Sequence, residues 1–197
     1  MTVWNRTRAK AGALSGPRVR LAGSVADALT SSPLTIVSVS DHESARTLVE
    51  EAARDLDGRV VASASFVTPE QARAFATVVS AAGGRYLDLE IIAWPSQVRS
   101  GAGVFLVSGP RTSYEAHRER FERIARATYV NAAPGSAYAS GMAVQVPWLP
   151  LAVGLLQGLR IAESQDLSPA WFRGRPGAVP VPPGATARSD PRGARSV

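Results

Sequence analysis

A chain of 197 residues, 45% hydrophobic and 19% charged, has room for one ordinary folded domain and an appendage, not for two full domains. The absence of cysteine excludes disulfide frameworks, thiolate metal sites and thiol nucleophiles, and His42 and His117 lack metal-ligand spacing, so no metal is expected. Four units of the +6 net charge lie beyond residue 172, where Arg173, Arg175, Arg188, Arg192 and Arg195 face only Asp190; the rest shows no basic stripe interleaved with aromatics, and no nucleic-acid partner is expected.

Thr2-Val3-Trp4 reads as a strand stub, followed by a helix from Arg8 to Leu14, a short strand at Val19-Arg20-Leu21 and a short helix from Ser24 to Ala28. Leu34 to Val39 is continuous and rich in β-branched residues, as a strand covered on both faces should be. Asp41 then caps a helix from Glu43 to Leu56, with Ala45, Leu48, Val49 and Ala52 on its apolar face. Arg59 to Ser63 is the next strand. Thr68-Pro69-Glu70-Gln71 combines a capping threonine, proline at the first helical position and glutamine at the third, and predicts a helix to Ala82 that ends at Gly83-Gly84. Arg85 to Ile91 is a strand entering a loop at Trp94-Pro95, and Gly103 to Gly109 is a further strand. Tyr114 to Ala127 is an amphipathic helix, and Thr128-Tyr129-Val130 a short last strand. Strands alternating with helices of this length predict an α/β domain with a mostly parallel sheet.

After Pro134-Gly135 the texture changes. Ser136 to Glu163 is mostly apolar and helix-like, with Pro147 and Pro150 expected to break or kink it. The longest apolar stretch, Met142 to Leu156, is interrupted by Gln145, Pro147, Pro150 and Gly154 and falls short of the roughly 20 residues that span a bilayer. No membrane segment and no signal peptide are expected, and a cytoplasmic location is the default. Ser168 should cap a last turn through Trp171-Phe172, and residues 173–197, without apolar periodicity, read as a disordered tail. The expected organisation is a dinucleotide-binding domain over 1–134, a helical segment over 135–172 and the tail over 173–197.

Several short stretches share an order with one known group of enzymes. They are Val3-Trp4-Asn5-Arg6-Thr7, Lys10-Ala11, Ser24-Val25-Ala26-Asp27-Ala28, Ile36 to Asp41, Thr68-Pro69-Glu70, Tyr86-Leu87-Asp88 with Ala93-Trp94-Pro95, and Val107-Ser108-Gly109-Pro110. In this order they resemble the 6-phosphogluconate/β-hydroxyacid dehydrogenase superfamily, most closely its imine reductase branch, over roughly residues 1–135. The resemblance implies a Rossmann-like fold, NADP(H) as cofactor, a small imine or carbonyl substrate, and hydride transfer to C=N or C=O. It also implies that a strand and glycine-rich turn precede Val3, so the sheet is expected to be incomplete, lacking its first strand, and the C-terminal helical domain truncated. No G-x-G-x-x-G occurs in the sequence.

Asn5-Arg6-Thr7 has a physical reading of its own. In a dinucleotide-binding fold the tip of the second strand meets the adenine ribose, and an acid there binds both ribose hydroxyls and repels a 2′-phosphate. Here the tip offers an arginine, a hydroxyl and an amide, and Arg6 can make a charge-assisted, bidentate contact to a phosphate. Lys10, the only lysine, could add charge one turn on. The alternative is that Arg6 and Lys10 are simply solvated. The resemblance further places the Ser38-Val39-Ser40 loop near the nicotinamide ribose and Trp94 in a substrate-pocket segment, while Ser63, Ser65 and Thr68 sit at the C-terminal edge of their strand, where ligands meet open α/β sheets, with Ser65 the substrate-binding candidate. For Asp41 helix capping outweighs a ligand role, and for Trp94 the alternative is a core aromatic at a strand–loop corner.

The resemblance places an acid–base residue near the start of the interdomain helix. Aligned on Pro134-Gly135, the family's Tyr-Asp pair falls on Ser140 and Gly141, and Gly141 cannot donate a proton. Tyr138 is the candidate catalytic donor, with boundary packing as its alternative. No lysine follows Lys10 to fill the superfamily's other catalytic role. Two functions therefore stand: an NADP(H)-dependent oxidoreductase impaired in this chain, or a non-catalytic truncated paralogue that binds or dimerises. The resemblance implies a homodimer, formed through residues 136–163.

Overall fold

The computed structural model describes residues 1–52 and 56–167. The elements are β1 (Thr2–Val3), α1 (Arg8–Gly12), β2 (Arg20–Leu21), α2 (Val25–Thr30), β3 (Leu34–Val37), α3 (His42–Ala52), β4 (Val60–Ser63) and α4 (Pro69–Ala81). They continue with β5 (Arg85–Ile92), α5 (Pro95–Arg99), β6 (Val104–Ser108), α6 (Arg111–Glu122), β7 (Arg126–Tyr129), α7 (Ser136–Gln145) and α8 (Trp148–Glu163). The chain is an α/β protein with a mostly parallel, Rossmann-like sheet.

The strands form two ladders. β1 pairs in parallel with β2, and a second sheet runs in the order β3-β4-β5-β6-β7. Among the described residues no ladder joins β1 to β3. Within the larger sheet only β5 and β6 are antiparallel. Their connection holds only the short helix α5, too little for the dozen or more residues a parallel crossover needs. From β6 to β7 the intervening α6 supplies that crossover.

Both faces of the larger sheet are covered. One packs Val61 and Tyr86 against Val49, Ala72, Phe75 and Val79 from α3 and α4, with Leu29 and Tyr138 in the same cluster. The other packs Val60, Ala62, Leu87, Leu89 and Val107 against Tyr114 and Phe121 of α6. This two-sided burial explains the continuous apolar run of β4, whereas β3, expected to be covered on both faces, lies at the sheet edge and leaves Ile36 exposed.

The expected start of α4 is present in full. Thr68 Oγ1 accepts from the Gln71 N–H at 3.3 Å, Gln71 Oε1 accepts from the Thr68 N–H at 2.8 Å, and Pro69 opens the helix. Asp41 caps α3 through the Ser44 N–H at 2.8 Å.

Several boundaries differ from expectation. Helix α6 begins at Arg111 rather than Tyr114 and ends at Glu122, so that Arg126 and Ala127, expected in the helix, belong to β7. Phe121, Ile124 and Ala125 keep the i, i+3, i+4 spacing of a helix across that boundary, and periodicity alone reads it as continuous helix. Helix α5 was read as loop. Pro150 does not break α8, because it lies in the first turn, where a missing N–H leaves no bond unmade. Pro147, in contrast, separates α7 from α8.

The chain forms two compact units, which divide after Ala143, so the first two turns of α7 belong with the sheet. In the second unit α8 exposes Trp148, Leu149, Leu151, Val153, Leu156 and Ile161. The run from Ser136 to Glu163 is long and apolar enough, by length and composition only, to cross a membrane, which the interrupted sequence did not lead one to expect. The same composition suits a helix covered by protein. Trp171, Phe172 and the arginine-rich tail lie outside the described residues.

Candidate functional site

In open α/β sheets ligands gather at the carboxyl ends of parallel strands, and the polar residues singled out above lie there. At the end of β1, Asn5 Oδ1 accepts from the Thr7 N–H at 2.9 Å, a local turn that projects Arg6 between them. Arg6 is exposed, and so is Lys10 on the short helix α1. A shallow hollow of about 170 Å³ opens here, lined by Trp4, Asn5, Arg6, Arg8, Ala11, Leu21, Ala22 and Gly23. None of these lining residues is acidic. Arg8 is a second cation that sequence reading passed over as part of a helix; its two-residue spacing from Arg6 was the available signal.

The loops after β3 and β4 are tied together. The Val39 N–H donates to Ser65 Oγ at 3.2 Å, and Ser65 is buried. Ser65 thus fixes the 38–40 loop, while Ser38 and Ser40 remain exposed. Asp41, next in line, is held below the ordinary carboxylate range, chiefly by the bonds from Ser44, and the charge of Arg6 adds to the effect. Arg6 therefore lies within electrostatic reach of the β3 loop, which brings the β1 tip and residues 38–41 to one edge. Trp94 is not a core aromatic: it is 75% exposed, just past the end of β5 at the start of α5.

A polar row crosses the sheet beneath the start of α7. Ser63, Asp88 and Ser108 are register partners on β4, β5 and β6, and all three are buried. Asp88 Oδ2 accepts from Ser108 Oγ at 2.5 Å and from the Gly135 N–H, while Ser108 Oγ accepts from the Ala137 N–H at 2.9 Å. Two otherwise unpaired donors at the helix start are thereby satisfied. Burial raises the Asp88 carboxyl above the ordinary range, opposed in part by Ser108, Gly135 and Tyr86.

Gly135 makes this approach feasible. Its φ is +93°, and a Cβ there would lie 2.7 Å from Cα of Pro69. Tyr138 then points into the sheet, donating its hydroxyl to the Ser63 carbonyl at 2.6 Å, and burial raises its pKa. The candidate donor is therefore engaged with the backbone and packed in the core, the role weighed as its alternative. The polar row leaves no local signal in the sequence, because only strand register brings Ser63, Asp88 and Ser108 side by side.

The comparisons agree with this geometry. The model of the NAD binding domain of 6-phosphogluconate dehydrogenase matches residues 1–133. An NADPH-dependent reductive aminase of Aspergillus oryzae is 27% identical over 169 residues, covering 85% of this chain and 57% of its own length. The cytokine-like nuclear factor N-PAC of Aedes aegypti is 26% identical over 171 residues, covering 85% of this chain and 31% of its own. Among solved structures, the Streptomyces aurantiacus imine reductase superposes with a TM-score of 0.78 and 32% identity, over 85% of this chain and 59% of that one. The chain thus spans less than two thirds of these relatives. With residues 1–133, about two thirds of its length, matching this domain and the fold matching an imine reductase, the chain belongs to the family of the NAD-binding domain of 6-phosphogluconate dehydrogenase, as an imine reductase-like member.

Proposed function

We propose that the chain carries the NADP(H)-selecting part of an oxidoreductase that reduces C=N or C=O bonds, and that turnover by the chain as it stands is impaired. The observation that supports this most is the hollow at the β1 tip, with Arg6 and Arg8 in its wall and no carboxylate among its lining residues. That chemistry fits a ribose bearing a 2′-phosphate. Arg6, Arg8 and Lys10 would hold the phosphate, and Asn5 and Thr7 would shape the turn beneath it. The Ser38-Val39-Ser40 loop, fixed by Ser65, would meet the nicotinamide ribose, and Trp94 would border the substrate. When bound, the cofactor supplies hydride from its nicotinamide ring. One feature supports impairment: Gly141, where the resemblance leads one to expect an acid, has no proton to give.

Fluorescence titration with NADPH and NADH tests the reading. Binding of NADPH is expected, tighter than that of NADH, and no response at about 1 mM NADPH would rule the reading out.

The apolar surface of α8 supports a homodimer through residues 136–163, since Leu149 and Leu156 are 72% and 61% exposed. Leu149→Arg with Leu156→Arg is expected to convert the dimer to monomer in sedimentation velocity. A wild-type chain already monomeric at its highest soluble concentration would dismiss this interface. The second reading, a non-catalytic binding or dimerisation module, draws on the engaged Tyr138 hydroxyl and on the likeness to a protein named as a nuclear factor rather than a reductase.

A further inference from the structure

Phe66, in the loop from β4 to α4, is a large apolar side chain that nothing above employs. It is 67% exposed, although Ser65 and Val67 on either side of it are buried. Among the described residues of the first unit, Trp94 is the other exposed aromatic; the remaining phenylalanines, tyrosines and tryptophans are buried or half-buried. Both exposed rings stand past the ends of adjacent parallel strands, β4 and β5, at the edge where ligands gather in open α/β sheets.

A single exposed apolar side chain is ordinary on a protein surface. What sets Phe66 apart is that its backbone is held on both sides. Before it, the Ala64 N–H donates to the Val37 carbonyl at 2.7 Å, and Ser65 Oγ accepts from the Val39 N–H. After it, Val67 lies in the core with Phe75 and Val79, and Thr68 caps α4. Turning Phe66 inward would pull Ser65 or Val67 out of the interior.

The same bonds choose its neighbour. They lace the loop after β4 to residues 37–39, and the 38–40 segment is the proposed seat of the nicotinamide ribose. Strand β4 lies beside β3, while the Arg6 tip reaches the β3 loop electrostatically through Asp41. A cofactor whose 2′-phosphate meets Arg6 and whose second ribose meets residues 38–40 therefore carries its nicotinamide ring on toward β4.

We propose that Phe66 packs against the nicotinamide ring of the bound cofactor and steadies it at the carboxyl edge of β4. The assignment rests on the reading of this chain as the NADP(H)-selecting part of an oxidoreductase. The ring is flat, and contact with Phe66 removes apolar surface of both partners from water. Phe66 carries no charge or hydrogen-bonding group for the phosphates or riboses, so its contribution falls on one part of the ligand.

Calorimetric titration of the full chain with NADPH and with ADP-ribose 2′-phosphate, which lacks the nicotinamide ring, tests the proposal. Phe66→Ala is expected to weaken NADPH about tenfold and to leave ADP-ribose 2′-phosphate unchanged. Because Phe66 is exposed, this substitution removes no core packing, and unchanged binding of the control ligand verifies the fold. Phe66→Tyr keeps the ring and is expected to retain most of the NADPH affinity. Equal weakening of both ligands by Phe66→Ala, no weakening of either, or a Phe66→Tyr variant as weak as Phe66→Ala would overturn the role of Phe66 and leave the cofactor reading in place. No binding of either ligand to the wild-type chain overturns that reading and the proposal with it.

Discussion

Replacing Asp88 with alanine is expected to destabilise the first unit by about 3 kcal/mol or more, a large share of the stability of an ordinary domain. The substitution strands two buried donors, the Ser108 hydroxyl and the Gly135 N–H, and leaves a cavity at the start of α7. Asp88→Asn should cost far less, because its amide oxygen can accept from both. The pair of variants also exposes a pH effect. The Asp88 carboxyl is raised above its ordinary value near 3.8, so the folded state holds that proton more tightly than the unfolded chain does. Its contribution is therefore fully present below pH 3.8 and is lost as the pH rises through the raised value. Urea melts across that window should show the wild-type advantage over Asp88→Asn shrinking as pH increases. An advantage that grows with pH would mean that Asp88 acts as a stabilised anion, and the account of the polar row would be wrong.

Arg6→Ala is expected to lower affinity for NADPH by about 10- to 100-fold, the worth of a charge-assisted bond to phosphate, while NADH binding hardly changes. Arg8 and Lys10 set the lower bound, since both remain near the same tip. The informative quantity is the ratio of the two affinities, measured by fluorescence titration on one preparation. A general loss of folding or of adenine stacking would reduce both cofactors together, and that outcome would remove Arg6 from the selector.

Local chemistry was legible in the sequence; spatial juxtaposition was not. Thr68, Pro69 and Gln71 announced the α4 start because all the bonds involved lie within four residues. Asp41 was legible as a cap for the same reason. The role proposed for the Asn5-Arg6-Thr7 tip could be argued from the sequence because it depends on the charge of one short segment. The end of α6 was misplaced because Phe121, Ile124 and Ala125 continue the i, i+3, i+4 spacing of a helix beyond its last residue, Glu122. For Trp94 the place at a strand–loop corner argues for a core aromatic, and the side chain is exposed. Ser63, Asp88 and Ser108 lie far apart in sequence, and none carries a local signal of the others. Their meeting follows from the register of β4, β5 and β6.

The bond from the Gly135 N–H to Asp88 carries a consequence for local stability. Donor and acceptor lie 47 residues apart in sequence, so the bond exists only while the strand that holds Asp88 is in place. The start of α7 therefore cannot outlast the sheet, and its amide protons are expected to exchange no more slowly than those of β5.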